Sequence, residues 1–168
     1  MKDLLKKSLK IISPRVYQFI KDKKNDYLIN ELITDNSKTL IFVHIGKCGG
    51  KTLNNILDNS SKIKSMFSLV YRIHLQKPPI MKHASYIIVC RNPIQRAISA
   101  FNWSYKLVVT DKNAQSDLFE GECDVLKKYK TFNNLCEQLY IDGVLNHTAL
   151  KDFQAIHHLR KNMTYYLS

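Results

Sequence analysis

Two short stretches hold the residue types best suited to chemistry. In "IFVHIGKCGGKTL" (41–53) an apolar run breaks at Gly46 into a turn carrying Lys47, Gly49 and Gly50, and Lys51 and Thr52 follow. A strand that ends in a glycine-containing turn and opens a helix makes an anion site, because free backbone N–H groups and the helix dipole both face the ligand. The glycines let the backbone approach an oxyanion closely. Lys47 and Lys51 add charge, and the Thr52 hydroxyl adds a donor. In "CRNPIQRAISAF" (90–101) Arg91 directly follows a second apolar run. An arginine there can grip a phosphate in a forked geometry. Ser99 lies about two helical turns further on, where its hydroxyl can return to a nearby site.

This chemistry is phosphate binding, but not of the NTPase kind. Gly46 and Gly50 are separated by three residues, one fewer than G-x-x-x-x-G-K-[ST] requires. The later strand candidates, in "RIHLQ" and "IIVCRNP", end without a metal-binding aspartate. Cys48 at a helix N-terminus has the setting of a reactive thiolate. No partner base is assignable, so Cys48 reads as a loop residue.

The elements that must position these residues follow from the apolar pattern. "TLIFVHI" (39–45) is a continuous β-branched and aromatic run, suited to a strand buried on both faces. "KTLNNILDNS" has helical spacing at Leu53, Ile56 and Leu57. A second cycle gives strands at 68–75 and 85–90, with a loop between them, and then a helix that Pro93 helps to start. Strands alternating with helices argue for a parallel α/β sheet. Beyond residue 110 the signals are helical over 123–140 and 145–163, with a turn at Asp142-Gly143.

The chain has 168 residues and a formal charge of +12. That length suits one domain. Residues 1–24 carry eight Lys or Arg against Asp3 and Asp22, which is half of the excess. Helical apolar spacing at Leu5, Leu9, Ile12, Val16 and Phe19 makes 1–36 a basic amphipathic helical segment, with 37–168 as the α/β domain. Such a segment either packs on the domain or makes peripheral contact with an anionic membrane. A basic excess favours an anionic partner. The four cysteines (48, 90, 123 and 136) show no metal or disulfide spacing. Cys90 ends an apolar run and reads as buried. Without a membrane-length run or a signal-like segment, the expected location is cytoplasmic.

The order Arg-x-Pro-x-x-Arg-x-x-Ser-x-aromatic after a strand resembles the 3′-phosphate-binding segment of sulfotransferases. These enzymes use 3′-phosphoadenosine 5′-phosphosulfate (PAPS). "HIGKCGGKTL" resembles their 5′-phosphosulfate loop, commonly His-Ile-Pro-Lys-Thr-Gly-Gly-Thr-Ser-Leu. The likeness covers about residues 38–106 and points to the carbohydrate-directed branch, which includes the heparan sulfate 2-O-sulfotransferases. It implies a P-loop-like three-layer α/β fold with a short central parallel β-sheet flanked by helices. It also implies that Lys47 contacts the sulfate and the leaving phosphate oxygen. Cys48, Gly49, Gly50 and Lys51, through their backbone, and the Thr52 hydroxyl would hold the 5′-phosphate. Arg91 and Ser99 would hold the 3′-phosphate. Gly46 stands where the family has proline, Cys48 where it has threonine, and Lys51 where it has a small hydroxyl residue. Lys51 either adds a cation to the phosphate or points outwards. "NMTYYL" (162–167) is similar to the family's Asn-x-x-x-Tyr-Leu segment, after which more chain is usual. The domain is therefore expected to be short on that side.

The implied reaction moves a sulfuryl group from PAPS to a carbohydrate or related hydroxyl, leaving adenosine 3′,5′-bisphosphate, with no metal. Such transfer needs in-line positioning, charge neutralisation and a base for the acceptor proton. The family branch places a histidine between the two motifs, often in a His-x-His sequence, and "YRIHLQKP" makes His74 the candidate base. Arg72 replaces the first histidine and could attract an acidic acceptor. His44 reads as a core residue and His83 as exposed. His147, His157 and His158 sit on a helical stretch without ligand spacing. Trp103 and Tyr105 read as core packing. The expected partners are the nucleotide donor and a glycan acceptor, and no nucleic acid is assigned. The alternative is a protein without chemistry that binds a nucleotide, or a polyanion such as nucleic acid or an acidic glycan, through its basic surface. Oligomeric state is left open.

Overall fold

The computed structural model describes residues 38–74, 76–111 and 121–167. The amphipathic helix expected within 1–36, with its membrane contact, lies outside the described residues. Strand β1 (Thr39–His44) is the centre of a three-stranded sheet, between β2 (Leu69–His74) and β3 (Ser85–Ile88). Both pairings are parallel, with Val43 opposite Ile73 on one side and Ile88 on the other. The fold is α/β, with a small parallel sheet flanked by helices.

The period of two along β1 divides the core. Ile41 and Val43 join Ile45, Ile73 and Tyr166 on one face. Leu40 and Phe42 join Leu57 on the other. That second face is covered by α1 (Gly50–Asn59) and α2 (Ser61–Met66). Ser60 closes the first helix and caps the second, accepting from the Ile63 N–H at 3.3 Å. Both faces of β1 are covered, which is why its sequence is continuously apolar rather than alternating.

Helix α3 (Pro93–Ser104) starts as its sequence dictates. Asn92 accepts from the N–H groups of Ile94 and Gln95, and proline stands at the first helical position. It runs on as a π-helical stretch, Tyr105–Thr110. Helices α4 (Glu122–Tyr129), α5 (Phe132–Leu139) and α6 (His147–Ala155) build a second core with α3 around Phe101, Leu126, Leu135 and Ile156.

Four expectations are corrected or refined. The helix over 123–140 is two helices, broken where Lys130 takes a φ of 62° and Thr131 caps the Asn134 N–H. The Asp142-Gly143 turn is present, but it joins two short antiparallel strands, β4 (Tyr140–Ile141) and β5 (Val144–Leu145). Both turn residues have positive φ, as a two-residue hairpin of matching twist requires. The helix over 145–163 ends at Ala155, and the chain turns back through 157–161 to a short α7 (Thr164–Leu167), whose Tyr166 enters the sheet core. Cys90 is exposed rather than buried, because β3 ends at Ile88 and the chain leaves the sheet there. No described helix is long and apolar enough to cross a membrane.

Phe42 is fully buried between the sheet and α1. Phe42→Ala is expected to lower the unfolding free energy by about 3–5 kcal/mol. Urea unfolding followed by circular dichroism measures this, and a loss below about 1 kcal/mol would contradict the packing described.

Candidate oxyanion site at the strand ends

The parallel sheet brings three strand ends to one edge. At the end of β1 the chain turns through Gly46–Gly49, closed by the Cys48 N–H donating to the Ile45 carbonyl at 3.2 Å. Lys47 has a φ of 69° and Gly49 a φ of 82°. A lysine in the left-handed region stores backbone strain of the sort found at ligand-binding turns. Helix α1 then starts with no acidic residue in its first turn. The N–H groups of Thr52 and Leu53 donate to the Gly49 carbonyl at 3.1 and 3.3 Å, while those of Gly50 and Lys51 lead the helix and point along its axis. Gly50 cannot be replaced without movement, since a Cβ there would stand 1.9 Å from the His44 ring.

Arg91, after β3, donates from Nη1 to the Lys47 carbonyl at 3.4 Å. The two sequence motifs therefore meet. The Lys47 ammonium lies 5.0 Å from the centre of the Trp103 ring, within cation–π range. Partial burial, then the Arg91 charge, pulls the Lys47 amine below its usual range. Lys51 and Thr52 are exposed on the first turn of α1. Ser99 is half-buried in mid-α3, and among the described residues no hydrogen bond joins its hydroxyl to Arg91 or to the turn. Cys48 is buried and its thiol is pushed up by that burial, against the opposing pull of Arg96. It stays a protonated thiol at neutral pH, which removes the thiolate reading.

His74 ends β2 opposite His44 and is exposed. Its Nδ1 lies 3.1 Å from the His44 carbonyl oxygen. A carbonyl only accepts, so in the neutral ring Nδ1 carries the proton and Nε2 the lone pair. That is the tautomer a base needs. Arg72 is engaged elsewhere, bonding Asn54 Oδ1 at 3.0 Å and the Asp58 carboxylate on α1. It is a surface ion pair rather than a free cation for an acceptor.

Several site residues escaped the sequence. His157 and His158 are not on a helix. They follow the end of α6 and turn back to the sheet edge. The His158 ring is 6% exposed and sits 5.0 Å from the Trp103 ring. Its Nδ1 is 2.7 Å from where a Cβ on Gly46 would be. Trp103 is 38% exposed at the site rather than in the core. Arg96, buried, donates to the Gly46 carbonyl at 3.1 Å and to the His158 carbonyl at 2.7 Å. Only Gly46, standing where the resembled family has proline, signalled that something else fills this space.

Burial first, and neighbouring positive charge second, holds three rings far below the ordinary histidine value: His44 at about 4, His157 at about 4 and His158 at about 3. All three are neutral near pH 7. Among the described residues no group of three or more His, Cys, Asp or Glu is arranged to hold a metal ion. No family model, curated protein or solved structure matches this chain.

The depressed histidines fix the sign of the pH dependence. Below about pH 6.5 the unfolded chain binds protons that the folded chain refuses until about pH 4, so stability falls as pH falls through that window. Thermal unfolding from about pH 7.5 to 5 should give a steadily decreasing Tm. A flat Tm over that range would contradict the buried neutral rings.

Proposed function

We propose that this chain moves a sulfuryl group from PAPS to a hydroxyl of a carbohydrate or related acceptor, on a P-loop-like three-layer α/β domain of the sulfotransferase kind. The observation that carries the reading is the Arg91–Lys47 contact, which sets the phosphate-gripping arginine beside the glycine turn. A bisphosphorylated nucleotide needs two anion sites a few ångströms apart, and the two motifs are neighbours of that kind. The surroundings fit phosphate. The start of α1 carries no acid.

The nucleotide would supply the activated sulfuryl group. The N–H groups of Gly49, Gly50 and Lys51 and the Thr52 hydroxyl would hold its 5′-phosphate, the Cys48 N–H being engaged by the Ile45 carbonyl, and Arg91 and Ser99 its 3′-phosphate. Lys51, on the same turn, either joins the phosphate contacts or faces solvent. Lys47 would neutralise charge building on the bridging oxygen as the S–O bond breaks. His74, through Nε2, would take the acceptor proton as the new O–S bond forms. No step asks for a metal. A second reading, polyanion binding without chemistry, is favoured by the eight basic residues within 1–24. Steep salt dependence that survives loss of Lys47 and Arg91 would identify it.

Titration calorimetry with adenosine 3′,5′-bisphosphate tests the main reading. Saturable binding is expected, and Arg91→Ala should weaken it about ten- to a hundred-fold, the worth of a charge-assisted bond. No heat and no thermal shift at saturating nucleotide would end the assignment. For the base, His74→Ala should abolish sulfate transfer while nucleotide affinity stays within about two-fold of the parent. A variant that still turned over would exclude that role.

A further inference from the structure

The C-terminal turn after α6 is held by two buried side chains of opposite charge. Glu122, 2% exposed, accepts from the His157 N–H at 2.9 Å. Arg96, 5% exposed, donates through Nη2 to the His158 carbonyl at 2.7 Å, and to the Lys161 carbonyl at 3.4 Å. The same guanidinium donates through Nε to the Gly46 carbonyl at 3.1 Å. One rigid fork thus joins the turn after β1 to a segment that lies 112 residues later in sequence, counting from Gly46 to His158. Among the described residues Arg96 pairs with no carboxylate. A buried guanidinium bonded only to carbonyls is costly to keep as mere packing. It is well placed to hold a strained turn and to lend it positive potential.

We propose that Arg96 is a positioning residue for oxyanion binding, fixing the glycine turn by tying the Gly46 carbonyl to the His158 carbonyl, while Glu122 holds the other end of the His157–His158 pair. The inference rests on reading that turn as an oxyanion site, but not on the identity of the nucleotide. The ligand class is a phosphate or sulfate ester whose terminal oxyanion meets the start of α1. Lysine at position 96 keeps the charge but loses the fixed fork that holds both carbonyls, because its ammonium is a single point on a flexible stem.

Trp103 is the only tryptophan of the chain and lies beside Lys47 and the His158 ring, so its emission reports ligand binding at the turn. Emission titrations with inorganic pyrophosphate and with adenosine 3′,5′-bisphosphate compare the parent with Arg96→Lys and Glu122→Gln. Arg96→Lys is expected to weaken both ligands by about ten-fold or more. Glu122→Gln keeps an acceptor for the His157 N–H and should stay within about two-fold. Without ligand, amide exchange at Gly46–Lys51 should quicken in Arg96→Lys, while that around Leu126 and Leu135 stays unchanged. Parent-like pyrophosphate affinity, or unchanged exchange at the turn, in a folded Arg96→Lys protein overturns the proposal. If Arg96→Lys does not fold, Glu122→Ala takes its place, and parent-like affinity there overturns it equally. A parent that binds pyrophosphate but not the nucleotide rejects the sulfotransferase reading and leaves the Arg96 comparison decisive. A parent that binds neither rejects both.

Discussion

The parallel pairing of β1 with a neighbour on each side is the constraint from which the rest follows. Parallel strands share a direction, so all three C-terminal ends emerge at one edge. The glycine turn leaves from β1, His74 stands at the end of β2, and Arg91 follows β3. Each comes from a different part of the sequence, and the sheet alone brings them together. The register is pinned by burial on both faces of β1. A slip by one residue would exchange Ile41 and Val43 with Leu40 and Phe42 between two differently shaped cores. It would also separate His74 from the His44 carbonyl and so remove what orients its ring.

The charge at this edge is carried by lysine and arginine, not by histidine. Lys47, Arg91 and Arg96 converge on the turn, and among the described residues none of them pairs with a carboxylate. Three acids of the described residues are engaged by other partners. Asp58 bonds Arg72, Asp152 bonds Lys128 and Tyr129, and Glu122 bonds the His157 amide. The rings of His158, buried, and of His44 and His157, half-buried, stay neutral near pH 7 and contribute shape rather than charge. Three uncompensated cations around a helix start form a surface that an oxyanion would relieve.

What could be read from the sequence was local. The β-branched run of β1, the glycine turn and the helix start at Pro93 each carry their own physical signature, and each fell where expected. The break at Lys130-Thr131 has no glycine or proline, so apolar periodicity runs through it and hides the Thr131 cap. The end of α6 is hidden in the same way. Nothing in "AIHHLRKN" stops a helix locally, and the bend depends on bonds from Arg96 and Glu122, which lie far away in sequence. Trp103 read as core because an aromatic residue on a helix usually is, and only the position of Lys47 turns it into a site residue. Ser99 is the converse case: its spacing allowed a role that no hydrogen bond among the described residues supports.

The glycine at position 46 and the histidine at position 158 are best understood as one feature. Proline at the turn, as in the resembled family, would fix φ and stiffen the backbone from within. Glycine removes that restraint and adds conformational freedom that must be lost on ordering. Here the space beside Gly46 is taken by the His158 ring, and the Gly46 carbonyl is held by Arg96. The stiffness therefore comes from tertiary contact, supplied by the segment that follows α6. The restraints on the turn are therefore contacts with that segment, whereas a proline turn is stiff on its own. The order of the candidate site in this chain is thus a property of the packed domain and not of the motif that marks it.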